Sequence, residues 1–161
     1  MISIIIPTYE REKTLEAVLP SYLEQKYVKQ LIIINDASKR CTYDKVVEEC
    51  KRCCAQKDIE FVYVENVDNM GAAYCRNLGI EKATQRFILW GEDDLYLQTN
   101  YLEVLRPLVD DNKAACGTII YDIELDESDI EIQKKIIQQQ EVDRPLFDFN
   151  LLEGYFRLNV A

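Results

Sequence analysis

Three consecutive carboxylates, Glu92, Asp93 and Asp94, follow the apolar run Phe87–Trp90 with a single glycine, Gly91, between them. A buried strand that delivers three acids to its C-terminal end creates a local charge problem. Like charges at this spacing disfavour one another's ionisation, and a bound divalent cation is a common remedy. In an α/β sheet the carboxyl ends of the strands are also where ligands bind. The segment therefore reads either as a metal site suited to a phosphorylated ligand or as a solvated acidic turn.

Three more polar groups stand at the ends of apolar runs. Pro7, Thr8, Tyr9, Glu10 and Arg11 follow Ile2–Ile6; Asn35, Asp36, Ala37 and Ser38 follow Leu31–Ile34; Asn66, Asn69, Gly71, Arg76 and Asn77 follow Ile59–Val64. Each has a plain explanation by itself, since Pro and Asp end strands and Asn and Gly open helices. Four at once, on strands whose ends share one edge, outnumber what punctuation needs. There is no histidine, which excludes Ser-His triads and His-ligated metals. Six cysteines are present, and Cys50, Cys53 and Cys54 contain a CxxC spacing without a second pair. They read as buried small hydrophobes, with a disulfide between Cys41 and the 50–54 group as the second reading.

These groups need a scaffold, and the chain alternates strand and helix to provide one. Expected strands are Ile2–Ile6 (ended by Pro7), Leu31–Ile34, Ile59–Val64, Arg86–Trp90 and Ala114–Ile120. Expected helices are Lys13–Gln25, with a kink or break at Pro20, then Tyr43–Lys57, a segment from Gly71 to about Thr84, and Asn100–Asp110. Glu127–Gln140 reads as a polar helix, and Leu158–Ala161 as the start of another strand. The pattern predicts an α/β fold with a mostly parallel central sheet flanked by helices. At 161 residues the chain suits a single domain, 1–161. A net charge of −10 disfavours nucleic acid as a partner. The opening residues lack the form of a signal peptide and no window suits a membrane span, so a cytoplasmic location is expected.

As a set, Pro7-Thr8-Tyr9, Asp36 with Ser38, Asn69–Asn77 and the acidic run resemble family 2 glycosyltransferases over residues 2–97. The resemblance implies a GT-A, Rossmann-like fold, a nucleoside-diphosphate-sugar donor and Mn²⁺ or Mg²⁺. It makes 1–97 the nucleotide-sugar-binding half and 98–161 part of an acceptor half. Pro7, Thr8 and Tyr9 would line the nucleoside pocket, and Asp36 would accept a hydrogen bond from the base, which suits uracil and a UDP-sugar. Asn69 and Gly71 belong to the same binding element, and Arg76 would offset diphosphate charge. Asp93 would lie toward the ribose and, with Asp94, supply the metal ligands.

The pattern departs from the family in three places. Gly91 stands where an Asp is usual, Asn35 replaces the first acid of a pair, and no recognised motif supplies the base that deprotonates the acceptor hydroxyl. Glu153 is the candidate for that base, against the plain reading of a solvated glutamate. The acceptor (glycan, protein or lipid) is open, with peripheral membrane association if it is a lipid. The alternative reading is a non-catalytic or incomplete nucleotide-sugar-binding module. A nucleotidyltransferase would want a glycine-rich loop after the first strand, and residues 8–13 contain no glycine.

Overall fold

The structure is a computed structural model and describes residues 1–110 and 113–115. The chain divides into two compact units, the first comprising Met1–Glu103 and the second beginning at Val104. The first unit holds all four strands: β1 (Ile2–Thr8), β2 (Val28–Asn35), β3 (Glu60–Glu65) and β4 (Phe87–Trp90). All pair in parallel, in the order β3-β2-β1-β4. Three helices link them: α1 (Glu12–Leu23), α2 (Asp44–Gln56) and α3 (Ala72–Lys82).

From β1 the chain steps outward through β2 to β3, then returns past β1 to form β4. Right-handed crossovers made in opposite directions put their helices on opposite faces of the sheet. The packing agrees. Ile2, Ile4, Ile6, Leu31 and Ile33 pack with Leu15, Leu19 and Tyr22 of α1 and Val46, Cys50 and Cys54 of α2. On the other face Ile5, Ile32 and Ile34 pack with Cys75 of α3. Every residue of β1 is buried, because it has a strand on each side and helices on both faces.

Several boundaries differ from the sequence expectation. Strand β1 runs through Pro7 to Thr8. Its ladder with β4 ends where the Gly91 N–H donates to the Ile5 carbonyl, 2.9 Å away. Pro7 faces that same side two residues later, so its missing N–H removes no ladder bond. Helix α1 continues unbroken past Pro20. Pro20 is exposed, where water can take up the released carbonyl, while Leu15, Val18, Leu19, Tyr22 and Leu23 bury the opposite stripe. The expected helix Asn100–Asp110 is a short α-helix, α4 (Tyr101–Leu105), followed by a 3₁₀ turn over Arg106–Leu108. Pro107 cannot donate the helical N–H there.

Cys41, Cys50, Cys53, Cys54 and Cys75 are free thiols, which sets aside the Cys41 disulfide. Cys50, Cys54 and Cys75 are buried and serve as small hydrophobes. Lys113–Ala115 form no strand; Asp110 and Lys113 make one isolated bridge. The rest of the fifth strand, the 127–140 helix and the 158–161 strand lie outside the described residues.

At the amino-terminal edge of the sheet a buried amide ties the elements together. Gln30 Oε1 accepts from Ser3 Oγ at 2.6 Å and from Thr84 N–H at 2.9 Å. Its Nε2 donates to Glu60 Oε2 and to the Lys82 carbonyl, each at 3.1 Å. This fastens the α3–β4 connection to the sheet. Gly79 lets α3 approach closely, since a Cβ there would lie 2.3 Å from Ile5 Cγ2. Gly79→Ala should destabilise the unit by about 1–3 kcal/mol, read as a lower denaturant midpoint; an unchanged midpoint would contradict this packing.

Candidate functional site

In an open parallel sheet, ligands favour the crevice outside the strand ends where the strand order reverses. Here that point lies between β1 and β4. Its centre is Thr8, the last residue of β1, which is 3% exposed. Thr8 Oγ1 donates to Asp93 Oδ2 at 2.9 Å and shares a 2.9 Å hydrogen bond with the Tyr43 hydroxyl. The strand ends of β1 and β4 and the start of α2 are thus joined through one hydroxyl. Tyr43 is buried, and burial raises its phenol above the ordinary value despite its hydrogen bonds with Thr8 and the Arg11 N–H.

The acidic run is held from beneath by Tyr22. Its hydroxyl accepts the Glu92 N–H at 3.0 Å and donates to the Glu92 carbonyl at 3.1 Å. Burial pushes this phenol up to about 12, so it remains a neutral donor. Ile6, with Tyr22 beside it, accounts for Gly91. A Cβ there would lie 2.7 Å from Ile6 Cγ1 and 3.1 Å from Tyr22 Cε1, so the aspartate usual at this place has no room.

The three carboxylates point to different partners. Asp93 is buried at 7% exposure and its Oδ1 meets Arg11 Nη1 at 3.2 Å. The Asp94 side chain is half exposed, and its Oδ2 meets the same nitrogen at 2.5 Å. Glu92 pairs with Arg76 Nη2 at 2.6 Å. The charge problem posed by the sequence is met in this structure by two guanidinium groups. Asp93 chiefly, then Asp94, holds Arg11 above its ordinary pKa.

Among the described residues no three acidic, His or Cys side chains gather as a metal cage. A Mg²⁺-type site does not need one, because such ions take one or two carboxylates plus substrate phosphates. Asp93 Oδ1 and Asp94 Oδ2 converge on one cationic nitrogen, and that donor set fits a divalent ion.

Asp36 lies beside this centre at the end of β2, 4% exposed. Its backbone N–H donates to the Thr8 carbonyl at 2.9 Å. Its Oδ1 accepts from Asn66 Nδ2 at 2.7 Å and Met70 N–H at 2.9 Å, and its Oδ2 from Gly71 N–H at 2.7 Å. Burial pushes the carboxyl up, but the hydrogen bonds from Met70, Asn66, Gly71 and the Cys75 thiol together outweigh it and hold it below its ordinary value. A carboxylate has about four acceptor positions, so Asp36 spends most of its capacity on the β3–α3 loop. Gly71 has φ +85°, a left-handed conformation that favours glycine. Asn69 Nδ2 reaches the Asp36 carbonyl at 3.4 Å.

The residues expected at the site therefore divide. Thr8, Asp93 and Asp94 come together, with Pro7 buried behind them and Tyr9 exposed at 46%. Asp36, Asn69 and Gly71 form the adjoining loop cluster. Arg76 meets the acidic run through Glu92. Glu153 lies outside the described residues. Arg11 stood among the polar residues after the first strand but was given no role, and Tyr22 and Tyr43 were not expected. Nothing in the spacing of the two tyrosines marks them, because each reaches the site only through tertiary folding.

Comparison with known proteins decides the family: the model of glycosyl transferase family 2 matches residues 3–156. The chain belongs to glycosyl transferase family 2. It is 32% identical over 105 residues to the Escherichia coli UDP-Glc:alpha-D-GlcNAc-diphosphoundecaprenol beta-1,3-glucosyltransferase WfgD, covering 65% of this chain and 39% of that protein. It is 28% identical over 105 residues to glycosyltransferase GlyA of Streptococcus pneumoniae, covering 65% of this chain but 14% of that one. The chain thus spans well under half the length of these relatives.

Among solved structures, Staphylococcus aureus TarS 1-349 in complex with UDP superposes with TM-score 0.58 at 23% identity, covering 69% of this chain and 32% of TarS 1-349. The mannosyltransferase PcManGT of Pyrobaculum calidifontis, in complex with GDP-Man and Mn²⁺, gives 0.59 at 21% identity, covering 74% of this chain and 35% of that one. The fold is the GT-A glycosyltransferase fold, as the sequence resemblance implied.

The Asp36 cluster yields a pH prediction. A carboxyl whose folded pKa lies below its unfolded value stabilises above the unfolded value, near 3.9, and loses that contribution as pH falls through the folded pKa. Asp36→Asn should cost about 1–3 kcal/mol at pH 7, with the difference from wild type shrinking below pH 4. Urea unfolding from pH 7 to 2.5 measures this; a constant difference would contradict it.

Proposed function

We propose that this chain carries the donor-binding half of a metal-dependent glycosyltransferase that moves a sugar from a nucleoside-diphosphate sugar to an acceptor hydroxyl. The observation that supports it most is the convergence of Thr8, Asp93, Asp94 and Asp36 at the reversal point of the sheet, in a chain of this family. A UDP-sugar is the proposed donor. The Asp36 carboxylate can accept a uracil N3–H in place of one of its present partners, and the exposed ring of Tyr9 can pack on a base. UDP in the TarS structure and UDP-Glc in the WfgD name support the same base.

In this reading Asp93 and Asp94 hold Mn²⁺ or Mg²⁺, and the exposure of Asp94 leaves it open to a ligand. When bound, the ion supplies stabilisation of the negative charge that develops on the leaving diphosphate. Arg76 adds positive charge from the second turn of α3, and Asn69 and Gly71 shape the wall held by Asp36. A carboxylate outside the described residues, Glu153 being the candidate, takes the proton of the attacking hydroxyl. No helix among the described residues is long and apolar enough to cross a membrane. Cytoplasmic residence, with peripheral contact where the acceptor is a lipid, belongs to the same proposal.

Calorimetric titration with UDP and GDP, each with and without Mn²⁺, tests it. UDP should bind best with Mn²⁺, and Asp94→Ala should weaken that binding at least about tenfold. Full affinity in Asp94→Ala, still responsive to Mn²⁺, would contradict the assignment. Binding of UDP-sugar without turnover, over a panel of acceptors, would favour a binding module instead.

A further inference from the structure

Arg11 has no place in the donor reading, yet its guanidinium is ion-paired with both proposed metal ligands. Its Nη1 stands 3.2 Å from Asp93 Oδ1 and 2.5 Å from Asp94 Oδ2. A divalent ion shared by those two carboxylates would need the same point. The backbone beneath Arg11 is fixed. Its N–H donates to the Tyr43 hydroxyl at 3.1 Å. The preceding residue, Glu10, has φ +56° and is clamped to the β2–α2 loop. The Glu10 N–H donates to Ser38 Oγ at 2.8 Å, and its carboxylate accepts the Lys39 N–H at 2.8 Å and the Arg40 N–H at 3.0 Å. The Arg11 side chain, by contrast, is half exposed. An anchored backbone with a long, solvated side chain can change partners without disturbing the fold.

We propose that Arg11 is a displaceable counter-ion. It occupies Asp93 and Asp94 while no divalent cation is bound, and yields them, for the diphosphate of the donor, when the cation arrives. The proposal rests on the donor-site reading above. It explains how two adjacent carboxylates, one of them buried, are tolerated without metal. It also implies that metal alone binds weakly, since an ion must first break two ion pairs. With a diphosphate present the released guanidinium gains a new bidentate partner, so metal and nucleotide favour each other's binding, reciprocally.

The test is Mn²⁺ binding to the full chain without nucleotide, followed by the loss of the free-ion electron paramagnetic resonance signal, then repeated with saturating UDP. Exposed ion pairs are weak individually, so Arg11→Gln should bind Mn²⁺ alone about three- to tenfold more tightly than wild type. UDP should then improve its Mn²⁺ affinity by a smaller factor than in wild type. Arg11→Lys, which keeps the charge, should stay within about twofold of wild type, and so should Lys39→Gln, a nearby charge removed from an exposed side chain. Equal Mn²⁺ affinity in wild type and Arg11→Gln, with binding abolished in Asp94→Asn, would overturn the role of Arg11 and leave the metal assignment standing. Equal tightening in Lys39→Gln would also overturn it, by reducing the effect to net charge. No Mn²⁺ binding by any variant, with or without UDP, would remove the metal reading and this proposal together.

Discussion

A strand enclosed on both edges and both faces can carry polar groups only at its ends, and β1 is such a strand. All seven of its residues are buried, so the sheet around it is built from β-branched residues with little tolerance for a misplaced charge. Because the neighbouring strands run parallel to it, their carboxyl ends fall beside its own. Thr8, Asp36 and Asp93 therefore meet at one edge, and each must find partners there. The Thr8 hydroxyl, the Asp93 carboxylate and the Tyr43 phenol satisfy one another, and the Asp36 carboxylate satisfies the loop amides of Met70 and Gly71. The site follows from this need as much as from any ligand.

The two edges of the sheet use polar groups differently. At the amino-terminal edge Gln30 is wholly buried and all of its described partners are protein groups. Such a network fixes geometry and leaves nothing for a ligand. At the carboxyl edge the burial is graded. Asp93 is nearly enclosed, Asp94 is half exposed, and Tyr9 faces solvent. Fixed groups next to accessible ones are what a binding site requires, and this edge has both.

Much of this was legible in the sequence. Continuous runs such as Ile2–Ile6 and Leu31–Ile34 mark buried parallel strands, and the residues just beyond them had to share an edge. Pro7 misled, because its consequence depends on which neighbour its missing N–H would face. Pro20 misled because a buried stripe outweighed one lost hydrogen bond at an exposed position. The arginine partners of the acidic run were hidden for a different reason. Long side chains reach across loops that are distant in sequence, and spacing carries no sign of it. The room denied to a side chain at Gly91 depends on Ile6 and Tyr22, far earlier in the chain, and is equally invisible in one dimension.

The central claim is that the carboxyl edge of this sheet is a nucleotide site. Amide chemical shifts of the ¹⁵N-labelled chain, followed during titration with UDP and Mg²⁺, test it directly. Perturbations should concentrate on residues 8–11, 36–38, 66–71 and 91–94, while Ser3, Gln30 and Thr84 at the opposite edge stay unchanged. Perturbations centred elsewhere, or none at saturating UDP in a folded chain, would contradict it.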